Sequence, residues 1–304
     1  MGPTASGKSD LAIALAKVLP CEIISVDSAM VYRDMNIGTG KPSKEILAEI
    51  PHHLIDIRDA SESYSAEDFR VDALAIIETI IANNKIPLLV GGTMLYFKAL
   101  LQGLDRLPSK DEKIRQKLLL EKKQLGLPSL YQRLKIVDPD SAIKIHPNDP
   151  QRILRALEVY EITQMPLSKL QKNTKNVLPY NILQIAICPT ERQFLHNKIA
   201  ARFEKMLELG FIDEVRKLFQ CGNLSLDLPS TRCVGYRQIW QYLQGDYDFE
   251  TMKNKAIIAT RQLAKRQLTW LRSWGDLYWF DSEDNDLIQK VERVINQNNN
   301  YEKN

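Results

Sequence analysis

The chain has 304 residues, 44% of them hydrophobic, a length that allows one large domain or two modest ones with an ample core. No apolar run approaches the ~18 residues that span a bilayer and no secretory leader is seen; the four cysteines and four histidines lack the spacing of a disulfide frame or zinc site, so reduced thiols, a cytoplasmic location and no membrane partner are expected. The net charge of +3 is divided unevenly: −5 over residues 1–105 (9 basic, 14 acidic), +12 over 106–272 (29 and 17) and −4 over 273–304 (3 and 7), a distribution suited to a polyanionic partner or to ordinary solvated lysine faces.

Residues 2–9 read Gly-Pro-Thr-Ala-Ser-Gly-Lys-Ser, a complete Gly-x4-Gly-Lys-Ser phosphate-binding loop. Gly2, Pro3, Thr4, Ala5, Ser6 and Gly7 form a backbone whose N–H groups can converge on one anion. Lys8 adds a point charge, and the Ser9 hydroxyl can ligate Mg2+. The good helix formers at 10–17 predict a helix aimed by its N-terminus at the same anion. Such a loop normally joins a buried strand to its helix, yet no strand residues precede Gly2. The first strand is therefore expected to be missing from this chain, with Met1 an internal methionine preceded by roughly 8–15 residues that include an apolar, β-branched run.

A short apolar run at 22–27 (Glu-Ile-Ile-Ser-Val-Asp) predicts a strand, 53–57 (His-Leu-Ile-Asp-Ile) a second, and 86–90 (Ile-Pro-Leu-Leu-Val) a third after a helix over 66–82. Between 108 and 180 the texture changes to charged helices without strand runs, broken at Gly126-Leu-Pro128, at Asp138-Pro139 and between Pro147 and Pro150. Strands return at 181–188 and 278–281 around a mostly helical stretch, and the Asn-rich end, 296–304, is expected to fray. Short strands separated by helices predict an α/β fold, a phosphate-loop-type parallel sheet covered by helices, with a helical insertion. The expected division is 1–107 for the first part of the core, 108–180 for the insertion and 181–304 for the rest of the core with its basic C-terminal helices.

Several constellations carry chemistry beyond the loop. Asp27 ends the 22–27 run at the strand edge where ligands of open α/β folds bind, as a general base or outer-sphere Mg2+ partner, or simply as a cap of the next segment. Gly91-Gly92-Thr93 ends the 86–90 run without the carboxylate that an ATP-hydrolysing enzyme would offer there. Its glycines permit close backbone approach and Thr93 can donate to a phosphate oxygen, or the segment is a plain turn. Asp149 and Pro150 begin a helix on which Arg152 and Arg155 share a face. Arg232 and Arg237 flank Gly235 and Tyr236, suited to phosphate contact and base stacking. Over 259–272, Arg261, Lys265 and Arg272 fall within about 40° of each other, with Leu263 and Trp270 opposite. Each cluster alone suits a solvated face; three in one basic segment favour nucleic acid.

The loop, Ile24-Ser-Val-Asp-Ser-Ala29, Asn36-Ile-Gly-Thr-Gly-Lys-Pro42, Pro51-His-His-Leu-Ile-Asp-Ile57, Tyr64-Ser-Ala-Glu-Asp-Phe69 and the segments 87–98, 146–160, 232–237 and 259–272 resemble, in order and over nearly the whole chain, the bacterial-type tRNA dimethylallyltransferases (tRNA isopentenyltransferases). The resemblance implies that a dimethylallyl group moves from its diphosphate to N6 of the adenine just 3′ of the anticodon, releasing diphosphate. Residues 4–9 would cradle the donor. Asp27, Ser28, Ala29 and Met30, then Gln151, Arg152, Ile153, Leu154 and Arg155, then Arg232, Cys233, Val234, Gly235, Tyr236 and Arg237 would contact tRNA, as would Thr93 and Arg115. Arg261 and Lys265 join that set on charge alone. Asp27 would be the base, while Lys8, Thr93, Arg202 and Mg2+ would stabilise the leaving diphosphate. The partners implied are the anticodon stem-loop of tRNA and dimethylallyl diphosphate, met by a monomer. An ATP-dependent nucleoside or nucleotide kinase is the rival, because the loop reads phosphate and not what is attached to it. The acid-free turn and the basic region speak against it. An idle RNA-binding protein is a third possibility, against which the intact Lys8-Ser9 pair stands.

Overall fold

A computed structural model describes residues 1–105, 107–171 and 178–300 of the chain. They form two compact units, one of Met1–Leu101 with Pro179–Asn304, the other of Gln102–Leu178. The divisions fall a few residues before the expected 107/108 and 180/181.

In the first unit the loop turns into α1 (Lys8–Val18), which buries Leu11, Ala12 and Leu15. β1 (Cys21–Val26) is the centre of a parallel sheet, flanked by β2 (His52–His53), which follows α2 (Lys44–Glu49), and by β3 (Ile86–Gly91), which follows α3 (Ala66–Ala82). A continuous apolar run suits a strand covered on both faces, and Ile23, Ile24 and Val26 are at most 3% exposed. The register pairs Val26 with Gly91, so Asp27 and Gly92 leave the sheet side by side. α4 (Met94–Gln102) follows. The strand expected at 53–57 is cut to His52–His53. Leu54 and Asp56 take left-handed φ of 62° and 57°, which breaks the extended backbone, and Asp56 turns to the Lys41 ammonium at 2.5 Å.

The second unit is helical: α5 (Glu112–Val137), α6 (Pro139–Lys144), α7 (Pro150–Thr163) and α8 (Leu167–Leu170). Its core includes Leu118, Leu130, Leu134, Ile153 and Leu157. The break expected at Gly126-Leu-Pro128 is a kink inside α5, where Gly126 has φ 79° and ψ 162°. Asp138 and Asp149 do end one segment and open the next, accepting from Ser141 N and Arg152 N at 3.1 Å each as caps of α6 and α7.

The first unit resumes with β4 (Ile185–Cys188), α9 (Arg192–Glu208), α10 (Phe211–Gln220), α11 (Tyr236–Leu243), α12 (Phe249–Arg272), β5 (Tyr278–Asp281) and α13 (Leu287–Asn300). β4 and β5 pair in parallel, Ile185 opposite Tyr278. The run expected from 181 forms a strand only where β5 supplies a partner. Met1 continues this edge: its N–H donates to Ile185 O at 2.7 Å and its carbonyl accepts from Ile187 N at 3.0 Å. The Asn-rich end does not fray at 296, since α13 runs to Asn300 with Val291 fully buried; 301–304 lie outside the described residues. No helix among the described residues is long and apolar enough to cross a membrane.

Candidate active site

The phosphate loop is shaped by its glycines. Gly7 sits at φ 80°, the left-handed region, and serves as N-cap of α1 with no side-chain cap, so the first amides of the helix are left for a ligand. By contrast Ser65 and Asp248 close the starts of α3 and α12. The Lys8 ammonium folds back over the loop and donates to Pro3 O at 2.5 Å.

Two cavities meet at this loop. One, about 440 Å³, lies over it and is lined by Lys8, Ser9, Asp27 and Gly91 among others. The second, about 520 Å³, is walled by Ser28, Thr93, Arg232 and the apolar side chains of Phe203, Met206, Leu263 and Trp270. Thr4, Ala5, Asp27, Thr39, Gly92, Arg202 and Gln267 line both. The polar cradle and the apolar chamber therefore share a neck.

At that neck Asp27 Oδ1 accepts from Ala29 N at 2.8 Å and Met30 N at 3.3 Å. The capping role and the site role thus coexist, because both backbone bonds use one oxygen of the carboxylate. Thr93 Oγ1 accepts from Ser28 N at 3.1 Å, and its O–H makes only a long 3.5 Å contact to Ser28 Oγ, which a phosphate oxygen in the cavity can replace. Arg202, on α9, reaches Thr4 Oγ1 at 3.4 Å and Thr39 O at 3.3 Å. Burial lowers its pKa, opposed by Asp27 and Asp10. Burial also holds the Lys8 ammonium down to about 8, with Arg202 repelling in the same direction and Asp27 pulling the other way. Two cations crowd one carboxylate here, an imbalance that a bound anion relieves.

Among the expected tRNA residues, Ser28, Ala29, Arg232, Cys233, Val234, Gly235 and Tyr236 line the larger cavity, and Met30 the smaller. Tyr236 is not an exposed stacking platform. It is 1% exposed, edge-on to Phe211, and its hydroxyl donates to Glu214 at 2.6 Å. Arg232 is exposed and Arg237 is exposed away from the cavity lining. On α12 the cationic stripe and the cavity lining are different residues. Arg261 and Lys265 are absent from the lining, which is supplied by Thr260, Leu263, Arg266, Gln267 and Trp270. In the second unit, Ile153 and Leu154 belong to the core, 0% and 6% exposed, so their side chains offer no contact surface. Gln151 and Arg152 are exposed, whereas Arg115 and Arg155 both turn to the buried Glu158 at 3.7 and 2.9 Å.

Two residues had no signal in the sequence. Glu214 accepts from the successive amides of Asn36, Ile37 and Gly38 (2.9, 2.8 and 3.1 Å) and from Tyr236, tying two walls of the larger cavity together. Gln267 is the other. No group of three or more His, Cys, Asp or Glu suited to a metal occurs among the described residues. Ser9 and Asp27 both line the smaller cavity, a sparse oxygen set that fits Mg2+, which takes most of its ligands from phosphates and water.

A glycine loop opening an uncapped helix beside a parallel sheet, with a cationic cradle joined to an apolar chamber, defines a protein that handles a phosphorylated substrate with an apolar or flat partner group. A model of the IPP transferase family matches residues 30–274, and the chain belongs to that family. It is similar to a solved full-length tRNA isopentenylpyrophosphate transferase of Bacillus halodurans, at 37% identity over 97% of this chain and 94% of that one, with a TM-score of 0.71. A tRNA delta(2)-isopentenylpyrophosphate transferase of Staphylococcus epidermidis is 35% identical over 98% and 97%, TM-score 0.70. A eukaryotic dimethylallyltransferase acting on tRNA is 29% identical over 99% of this chain and 77% of that one, TM-score 0.79.

Proposed function

We propose that this protein transfers the dimethylallyl group of dimethylallyl diphosphate to N6 of the adenine 3′-adjacent to the anticodon of tRNA, releasing diphosphate. The observation that carries the proposal is the shared neck: the phosphate loop opens through Asp27 and Arg202 into a chamber with apolar walls. A diphosphate ester seated on the loop would present its carbon to an acceptor in that chamber. A base hidden in a stacked anticodon loop must be extruded to arrive there.

In the reaction the donor C1–O bond breaks as the N6–C1 bond forms, the electron pair leaves with the diphosphate, and one N6 proton is taken up by Asp27. The exocyclic amine is a poor nucleophile, so a positioned carboxylate matters. Charge gathers on the departing oxygens, where the loop amides, Lys8, Arg202 and the Thr93 O–H stabilise it. Ser9, with the diphosphate itself, would hold Mg2+, which supplies further neutralisation of that charge. The exposed Arg232 and Arg152 are suited to phosphates of the anticodon stem-loop. The four free cysteines support action in the cytoplasm, and we take the acting species to be a monomer.

Incubation with radiolabelled dimethylallyl diphosphate or ATP, with and without bulk tRNA, tests the reading. Label entering tRNA from the prenyl donor alone is expected. Label passing from ATP to a nucleoside or nucleotide would establish a kinase instead.

A further inference from the structure

The neck of the two cavities is bridged by one neutral side chain. Gln267 projects from α12 with its Oε1 accepting from Thr4 N at 2.8 Å, and its Nε2 donating to Gly92 O at 2.9 Å. These partners lie 263 and 175 residues away in sequence, one on the phosphate loop and one on the turn that carries Thr93. A primary amide is suited to this double task, since it presents an acceptor and a donor from one planar end. A carboxylate would lack the donor and an ammonium the acceptor. The fit is close: a Cβ added to Gly92 would stand 2.4 Å from Nε2.

This bridge has consequences at both ends. The Thr4 amide is already satisfied, so the loop meets an anion with the amides that follow, while Thr4 turns its hydroxyl to Arg202. The Gly92 carbonyl is held one residue before Thr93, whose O–H is engaged only by a long 3.5 Å contact to Ser28 Oγ. One amide therefore spans the gap between the anion cradle and the Thr93 turn, which Thr93 N also ties to Val26 O at 3.2 Å.

We propose that Gln267 is a positioning residue that locks the phosphate loop and the Thr93 turn at one spacing, so that both act on the same leaving diphosphate; this rests on the transferase reading above. Donors fixed in advance stabilise developing charge without reorganising, and a small misplacement is costly in rate.

The test variant is Gln267→Met, which keeps length and volume and removes both hydrogen bonds. Three quantities are measured on the full chain: affinity for inorganic pyrophosphate, steady-state kinetics with dimethylallyl diphosphate and tRNA, and tRNA affinity without donor. The expected result is a loss of about tenfold or more in pyrophosphate affinity, a comparable rise in donor KM and a fall in kcat, with tRNA affinity within about twofold. Pyrophosphate affinity and donor kinetics within about twofold of wild type would overturn the proposal. Equal losses for donor and tRNA would overturn it too, since they mark general loosening. Should the variant not fold, hydrogen exchange on the wild type decides: Thr4 N–H is expected to exchange more slowly than Ala5 N–H, and equal rates contradict the bridge. A wild-type chain that binds pyrophosphate yet transfers no prenyl group would sink the transferase reading, while pyrophosphate loss in the variant would still support the bridge.

Discussion

Asp27 is asked to do two things with one carboxylate, and its oxygens divide the labour. Oδ1 holds the turn through Ala29 and Met30, which an asparagine carbonyl at the same place would continue to do. Asp27→Asn is therefore expected to leave the fold and tRNA affinity nearly intact while kcat falls by about 10²–10⁴, the range for a positioned base. Near-normal turnover of that variant would remove Asp27 from proton transfer. Lys8 allows a second test. Burial and Arg202 lower its pKa from 10.5 to about 8 in the free protein, so the ammonium is lost as pH rises through about 8. The donor kcat/KM is expected to decline above that pH by about tenfold per unit, whereas kcat at saturating donor declines later, because a bound diphosphate favours the charged form. A kcat/KM that stays flat to pH 10 would place Lys8 outside donor binding.

At the scale of elements, the larger cavity is assembled by a clasp. α10 supplies Glu214, whose carboxylate gathers three successive amides of the 36–38 loop and the hydroxyl of Tyr236 at the start of α11. Glutamine has one acceptor oxygen where the carboxylate has two. Glu214→Gln is thus expected to strand at least one donor and cost about 1–3 kcal/mol in a denaturant titration, with weaker tRNA binding as the cavity wall loosens. Unchanged stability would show the clasp to be ornamental. The basic elements also separate by their partners. Arg232 is exposed at the cavity, so Arg232→Ala should weaken tRNA binding and reduce the salt slope by about 1. Arg155 is committed to Glu158 and to Pro108 O at 2.7 Å. Arg155→Ala should act first on stability, and a change in salt slope as large as that of Arg232→Ala would reassign it to direct phosphate contact.

For the molecule as a whole, the parts legible in the sequence are those whose meaning is local. The loop at 2–9, the strand ends at Asp27 and Gly91-Gly92-Thr93, the break at Asp138-Pro139 and the cap at Asp149 need only neighbouring residues. What escaped depends on distant chain. The 53–57 run has strand-like composition, but Lys41 draws Asp56 into a left-handed turn. The α12 periodicity reveals a cationic stripe at Arg261, Lys265 and Arg272. Which face the cavity takes was decided by the loop and turn that Gln267 joins, neither of which is written in the helix. Glu214 reads as one more helix-face acid until the 36–38 amides arrive. Mass spectrometry of tRNA treated with the protein and dimethylallyl diphosphate, then digested to nucleosides and to anticodon fragments, shows whether the joined cavities carry a prenyl group from a diphosphate to a tRNA base. The expected result is a dimethylallyl mass increase on the adenine 3′-adjacent to the anticodon, lost in Asp27→Asn. An unmodified adenine there, or the added mass on another nucleotide, would contradict it.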